Sequence, residues 1–297
     1  MTQNNKLVND NLTSLNKALE KFLVHLKNQS RSNNTIIAYQ NDLDQLIIFV
    51  GQKNVSDISQ ISADHLKDFK NYLLEEKKYT SKTVSRKLNS IKSFCRFLLD
   101  SGVISQDPSN SITHPKINQK LPRILSPLEY RALRDVCRDD HRSYAIIELM
   151  LQGGLRISEV TNLEISDIQE DKIIIRPYES HSDRVIPLNK AAKRAVNDYL
   201  EERPKTRKSN GLFITKNGNS LLVRNIRNSI NRYFKIAGIE NVYVNNLRDT
   251  FVVQQLKAGV PLNVVSQVIG HKRVSSTEKY LELVEKRESE NIKLKEL

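Results

Sequence analysis

Cysteine, long apolar runs and metal-ligand spacings are what this 297-residue chain has least of. Its two cysteines, Cys95 and Cys137, lie far apart inside helix-patterned segments (SIKSFCRFLL and RALRDVCRDD), which argues for buried free thiols in a reducing compartment rather than a disulfide. Cys and His nowhere fall at spacings that hold zinc, so no metal or other cofactor is expected. No stretch approaches the ~20 apolar residues needed to cross a bilayer. The opening MTQNNKLVNDN lacks the apolar centre of a secretory signal, and no repeat or low-complexity tract is evident. These exclusions leave a soluble, cytoplasmic, globular protein whose length suits two domains and no membrane partner.

Basic charge, by contrast, is abundant. Lys and Arg number 47 against 34 Asp and Glu, a formal net charge of +13, which implies an acidic partner. The cations are not gathered in a tail but recur through both halves, as in SRKLNSIKSFCR and VRNIRNSINRYFK.

The first half reads as helices only. Leu15, Leu19, Phe22, Leu23 and Leu26 share one face of a first helix. A second starts where Ser32 or Asn34 can cap it and carries Ile36, Tyr39, Leu43, Leu46, Ile47 and Val50. A third follows Ser62. A fourth runs from about Thr80 to Asp100, with Val84, Leu88, Ile91, Phe94, Cys95 and Leu98 inward. Its other face is expected to present Lys82, Arg86, Lys87, Lys92 and Arg96, with no acid until Asp100, a pattern better matched to a phosphate backbone than to plain solvation. The proline-interrupted, basic segment ITHPKINQKLPRILSP, with Lys116 and Lys120, reads as an inter-domain strap over DNA. The boundaries expected are residues 12–110, a linker at 111–121, and 122–297.

The second half is mixed. Helices are expected near 127–138, 141–153, 189–202, 222–237, 246–257, 261–269 and 275–294, with KIIIRP and RVIPL forming a hairpin about a polar turn. Four segments then stand out: GGLRISEV with Arg156, the hairpin ending in DRVIPL, NNLRDTF with Arg248, and VIGHKRVSSTEKYLEL with His271 nine residues before Tyr280.

In this order the segments resemble the tyrosine recombinase (phage integrase) family, most closely its compact Xer-type members. The likeness covers nearly the whole chain. SNNTIIAYQNDL and SRKLNSIKSFCRFLL look like that family's helical, SAM-like core-DNA-binding domain. LPRILSPLEY, GLRISEVTNL, DRVIPL, GLFITKNG, LRDTF and IGHKRVSSTEKY look like successive landmarks of its mostly helical catalytic domain with a small antiparallel sheet. The resemblance implies a mainly α protein that cleaves and rejoins DNA at specific sites. Tyr280 would attack a phosphodiester and form a 3′-phosphotyrosyl link. Arg156 and Arg248 would hold the non-bridging oxygens, His271 would donate to the phosphate or orient the tyrosine, and Glu159 would buttress an arginine. It further implies a tetramer on two paired sites, with the amphipathic tail (Leu281, Leu283, Val284, Ile292, Leu294) docking into a neighbouring protomer. A second recombinase or accessory protein is a further candidate partner. With about a dozen residues before the first core helix there is no room for an arm-binding domain, which points to dimer or cointegrate resolution or a simple integration–excision system.

Two of the family's positions are altered. The hairpin turn usually carries a lysine that protonates the leaving 5′ oxygen; here it reads PYESHSDRVIPL, with Glu179 about where that lysine belongs. His181, whose pKa a phosphate would raise, and Lys172 are the two candidate replacements. Asn245 stands where histidine is common, able to donate a hydrogen bond but not to carry a proton. Asp249 replaces another frequent histidine, beside Arg248, whose charge it would partly neutralise. These departures leave open a catalytically impaired relative that bends DNA or regulates a partner; a type IB topoisomerase fits the N-terminal helical domain less well.

Overall fold

A computed structural model of the protein describes residues 2–55, 57–118, 121–178, 181–205 and 208–284, with side chains from Ser14 onward. Two compact units divide the chain, 1–119 and 120–297.

The first unit holds α1 (Thr2–Asn28), α2 (Asn33–Gly51), α3 (Ala63–Glu75) and α4 (Ser81–Asp100). Ser32, Ser62 and Thr80 each accept a hydrogen bond from a backbone N–H of the first turn, so the capping residues that punctuate the sequence do set the helix starts. Helix α1 begins at Thr2, well before the apolar repeat that starts at Leu15. Leu15, Phe22, Leu43, Phe69, Val84, Ile91 and Phe94 are among the side chains that fill the core.

One residue of α4 corrects the sequence reading. Lys87 is expected outward with the other cations, but it is buried, its ammonium 2.9 Å from Asp42 Oδ1. Asp42, itself 1% exposed, also takes both guanidinium arms of Arg86 and the Ser90 hydroxyl. Burial opposes ionisation of Asp42, but the bonds from Arg86, Lys87 and Ser90 prevail and lower its pKa. The cause is geometric: Lys87 lies three residues after Val84 and four before Ile91, on the apolar stripe.

The second unit comprises α5 (Pro127–Cys137), α6 (His141–Gly153), α7 (Ile157–Asn162), β1 (Lys172–Ile175), β2 (Arg184–Pro187), α8 (Lys190–Glu202), α9 (Val223–Ile236), α10 (Asn245–Lys257), α11 (Leu262–Ile269) and α12 (Ser275–Glu278). β1 and β2 pair antiparallel, Lys172 opposite Pro187 and Ile175 opposite Arg184. Helix α6 carries Ala145, Ile147, Leu149 and Met150 through the centre of the main core, which is why its sequence is apolar on nearly every face. A smaller cluster of Phe251, Val252, Val253, Val265 and Ile269 takes in the Tyr280 ring.

The helix expected over 275–294 is interrupted. Helix α12 is one turn long, Lys279 and Tyr280 form a turn, and helical backbone resumes at 281–284. The bonds Tyr280 N–H to Thr277 O and Leu283 N–H to Tyr280 O are of the tighter i, i+3 kind, which displaces the tyrosine from a regular helical face. Glu179, Ser180, Lys120 and the tail residues Ile292 and Leu294 lie outside the described residues. Cys95 and Cys137 are buried free thiols, pushed up to about 12 chiefly by burial. Among the described residues no helix is long and apolar enough to cross a membrane.

Candidate active site

The C-terminus of α11 organises the site. A helix leaves its last carbonyls without intrahelical partners, at the negative end of its dipole. Here three successive ones each receive a different arginine: Val268 O takes Arg184 Nε at 2.7 Å, Ile269 O takes Arg248 Nη2, and Gly270 O takes Arg156 Nη2 at 3.0 Å. Gly270 makes this possible by stopping the helix with φ near +66°, a left-handed conformation that a side chain would strain. Gly154 stops α6 in the same way, and its carbonyl accepts the other arm of Arg248.

A single carboxylate ties two of these arginines together. Glu159, one turn into α7, accepts Arg184 Nη1 and Nη2 at 2.7 Å each, Arg156 Nη1 at 2.7 Å, and the Arg156 backbone N–H at 2.8 Å. Burial works against its ionisation, yet Arg184 first and then Arg156 outweigh it and hold the carboxyl down to about 2. The buttressing role expected of Glu159 is thus matched by its contacts. Arg184, which lies in the quoted DRVIPL segment, escaped a role because its partners are 25 and 84 residues away in sequence.

Three guanidiniums against Glu159 leave an excess of positive charge. Arg248, 4% exposed, is drawn down to about 9 by burial and by the neighbouring Arg156, and stays charged at neutral pH. His271 is drawn down to about 4 by burial and by Arg248 and Arg156, and its Nδ1 lies 2.9 Å from the Thr277 hydroxyl. A bound phosphodiester would relieve both. Tyr280 is 3% exposed and donates its hydroxyl to Asp249 Oδ1 at 2.7 Å; burial and that carboxylate raise its pKa. Asp249 therefore engages the tyrosine rather than Arg248, the neighbour the sequence suggested.

The remaining candidates separate clearly. His181 pairs with Tyr178 across the hairpin turn; burial first, then Arg156, Arg184 and Lys272, lower its pKa against the opposing charge of Glu159. Lys172 sits at the opposite end of the β1–β2 ladder from Arg184, three residues or about 10 Å along the strand. Asn245 is exposed at the start of α10, its amide 3.3 Å from Asp249 Oδ1. In the first unit Lys82, Arg86, Arg96 and Lys116 are exposed, and Lys92 is partly so. Burial, then the charges of Lys92 and Lys70, lower the pKa of His114, which meets Ser85 at 2.9 Å.

Residues 123–287 match the Phage integrase family and residues 19–102 the Phage integrase N-terminal SAM-like domain. The chain is 32% identical to a tyrosine recombinase XerC of Roseiflexus sp. (strain RS-1) over 279 residues, 90% of this chain and 89% of that one. It is 29% identical to the Listeria welshimeri tyrosine recombinase XerC, over 91% and 94% of the two chains. In fold it is similar to the Tn1549 transposon integrase solved with transposon right-end DNA, at a TM-score of 0.74 and 18% identity over 94% of this chain and 99% of that one. It is similar too to a lambda integrase fragment bound to a core site, at a TM-score of 0.73 and 13% identity over 88% and 96%. The chain belongs to the phage integrase family and is a tyrosine-type site-specific DNA recombinase.

Proposed function

We propose that Tyr280 is the covalent nucleophile and that Arg156 and Arg248 bind the scissile phosphate, with Arg184, its nitrogens held by Glu159 and Val268 O, adding its charge from behind. What supports this reading is the convergence of three guanidiniums on consecutive carbonyls of α11, from whose end His271 and Tyr280 follow within eleven residues. Planar, always-charged donors on a rigid backbone are suited to a phosphorane, whose charge develops in the transition state. Attack forms a 3′-phosphotyrosyl bond that conserves the energy of the broken phosphodiester, so rejoining needs no nucleotide cofactor. His181 protonates the leaving 5′ oxygen; the phosphate's negative charge raises its pKa again when DNA is bound.

The first unit grips DNA through Lys82, Arg86, Lys92, Arg96 and Lys116. The assembled form is a tetramer on two sites, and the C-terminal tail links protomers. Truncating the last ten residues should weaken synapsis more than single-site binding.

The test is a nicked duplex carrying a site selected by the full chain from a random-sequence library. Wild type should yield a protease-sensitive covalent adduct on a denaturing gel, and Tyr280→Phe none. Binding without an adduct from wild type would count against the proposal.

A further inference from the structure

We propose that Asp249 is the proton acceptor for Tyr280, a catalytic role carried in this chain by an aspartate on the turn of α10 that also supplies Arg248. The inference rests on the reading of Tyr280 as nucleophile. A phenol is a weak nucleophile until its proton has somewhere to go. In the family this chain resembles, a histidine is common where Asn245 stands, and Asn245 cannot take a proton.

The geometry supplies the alternative. The Tyr280 hydroxyl donates to Asp249 Oδ1 at 2.7 Å, within the range required of a general base. Both residues are buried, 3% and 5% exposed, so solvent does not compete for the proton. Asn246 Nδ2 holds the other carboxylate oxygen at 3.1 Å, and Asn245 Nδ2 lies 3.3 and 3.4 Å from the two. Asn246 holds Oδ2, and Oδ1 receives the phenol by the shorter bond, 2.7 Å against 3.3 Å from the Asn245 amide. Burial raises the affinity of Asp249 for a proton, partly offset by Tyr280, Asn246, Lys279 and Asn245. Lys279, its Nζ 5.0 Å from the Tyr280 ring centroid, and the charge of Arg248 favour the phenolate that develops. Asn245 and Asp249, the two departures on α10, thereby act together: the asparagine amide meets the carboxylate, one helical turn on, that takes the proton.

In the step itself, the Tyr280 proton passes to Asp249 Oδ1 as the phenolic oxygen bonds to phosphorus. The bond from phosphorus to the 5′ oxygen breaks, and that oxygen keeps the electron pair and takes a proton from His181. Rejoining runs the same transfers backward, Asp249 returning its proton to the departing tyrosine.

The experiment measures single-turnover adduct formation by the full chain on the selected nicked duplex between pH 4.5 and 9. Asp249→Asn should bind DNA as wild type does but cleave at least about 100-fold more slowly, while Asp249→Glu keeps most of the rate. Wild-type cleavage should fall as pH drops and Asp249 takes up its proton, and this limb should be absent from Asp249→Asn. An Asp249→Asn protein that cleaves within threefold of wild type overturns the proposal, and faster cleavage would mark the contact as a latch instead. A limb that persists in Asp249→Asn belongs to another group and also overturns it. If Asp249→Asn fails to fold or to bind, the wild-type profile decides, and a rate independent of pH over this range refutes the role. An adduct from Tyr280→Phe would remove the nucleophile reading itself, whereas an inert Tyr280→Phe beside a fully active Asp249→Asn removes only this one.

Discussion

Replacing Glu159 with glutamine should be the most costly polar substitution in the catalytic unit. The carboxylate accepts four hydrogen bonds from Arg156 and Arg184, and the Arg184 side chain is only 8% exposed. A carboxyl held near 2 instead of 4.5 contributes about 3 kcal/mol at neutral pH. Removing one member of a buried ion pair costs a similar ~3–5 kcal/mol, because the partner is left buried and uncompensated. A folded-state pKa below the unfolded one stabilises fully above about 4.5 and loses that contribution as pH falls through about 2. The gap between wild type and Glu159→Gln should therefore be about 3 kcal/mol at pH 7, narrow through pH 4, and nearly close at pH 2. Urea titrations followed by circular dichroism suit a chain without tryptophan. Amide exchange at neutral pH, read on peptides from α7 and α10, assigns the loss to this unit, with about 100-fold less protection expected. A gap below 1 kcal/mol at pH 7, or one that does not change on acidification, would refute the argument. Comparing the two proteins cancels the other acid-sensitive carboxylates, such as Asp42 and Asp140.

Further outcomes follow from neighbouring features. Gly154→Ala should destabilise by more than about 2 kcal/mol in thermal unfolding, since its Cβ would lie 2.5 Å from Phe251 Cδ1 at a φ of +63°. Gly270→Ala brings a methyl to 3.1 Å from Arg184 Cδ and Nη1, so adduct formation should fall further than the melting temperature alone explains. His271, held near 4, should show no NMR titration between pH 8 and 5.5 in the free protein, and its midpoint should climb on binding DNA. Lys82→Ala or Arg96→Ala should each reduce the salt dependence of DNA binding by about one counterion. Lys87→Ala should instead lower the stability of the first unit, because it strips a buried partner from Asp42.

Much of this was legible in local pattern. Ser32, Ser62 and Thr80 start helices because each is a short polar side chain placed just before an apolar repeat. The hairpin could be read from Ile173 to Ile175 and Val185 to Ile186 about a polar turn. Arg156, Arg248, His271 and Tyr280 were visible because their spacing and neighbours form recognisable words. What pattern hid was pairing across distance. Lys87 looks like one more surface cation until Asp42 is brought to it from another helix. Arg184 looks like the start of a strand until Glu159 and Val268 fold around it. Asp249 looks like a counterion for Arg248 because sequence adjacency suggests it, whereas successive residues of a helix point about 100° apart, and Asp249 meets a tyrosine 31 residues away. The break at Tyr280 was hidden too, because LELV continues a helical period and the i, i+3 bonds that interrupt it leave no compositional mark.

The reliance of three arginines on the main chain of residues 268 to 270 makes helix length a determinant of how the arginine cluster is held. As far as the arginines are concerned, the side chains at Val268 and Ile269 are free to drift within the limits of the core, because only their carbonyls are used. What must be preserved is a stop. Were α11 to run on by one more turn, the N–H groups of residues 272 to 274 would compete for those same carbonyls, and all three guanidiniums would lose a backbone partner together. The arginine cluster proposed as the catalytic centre is thus vulnerable to a change that alters no ligand at all, only the point at which a helix ends.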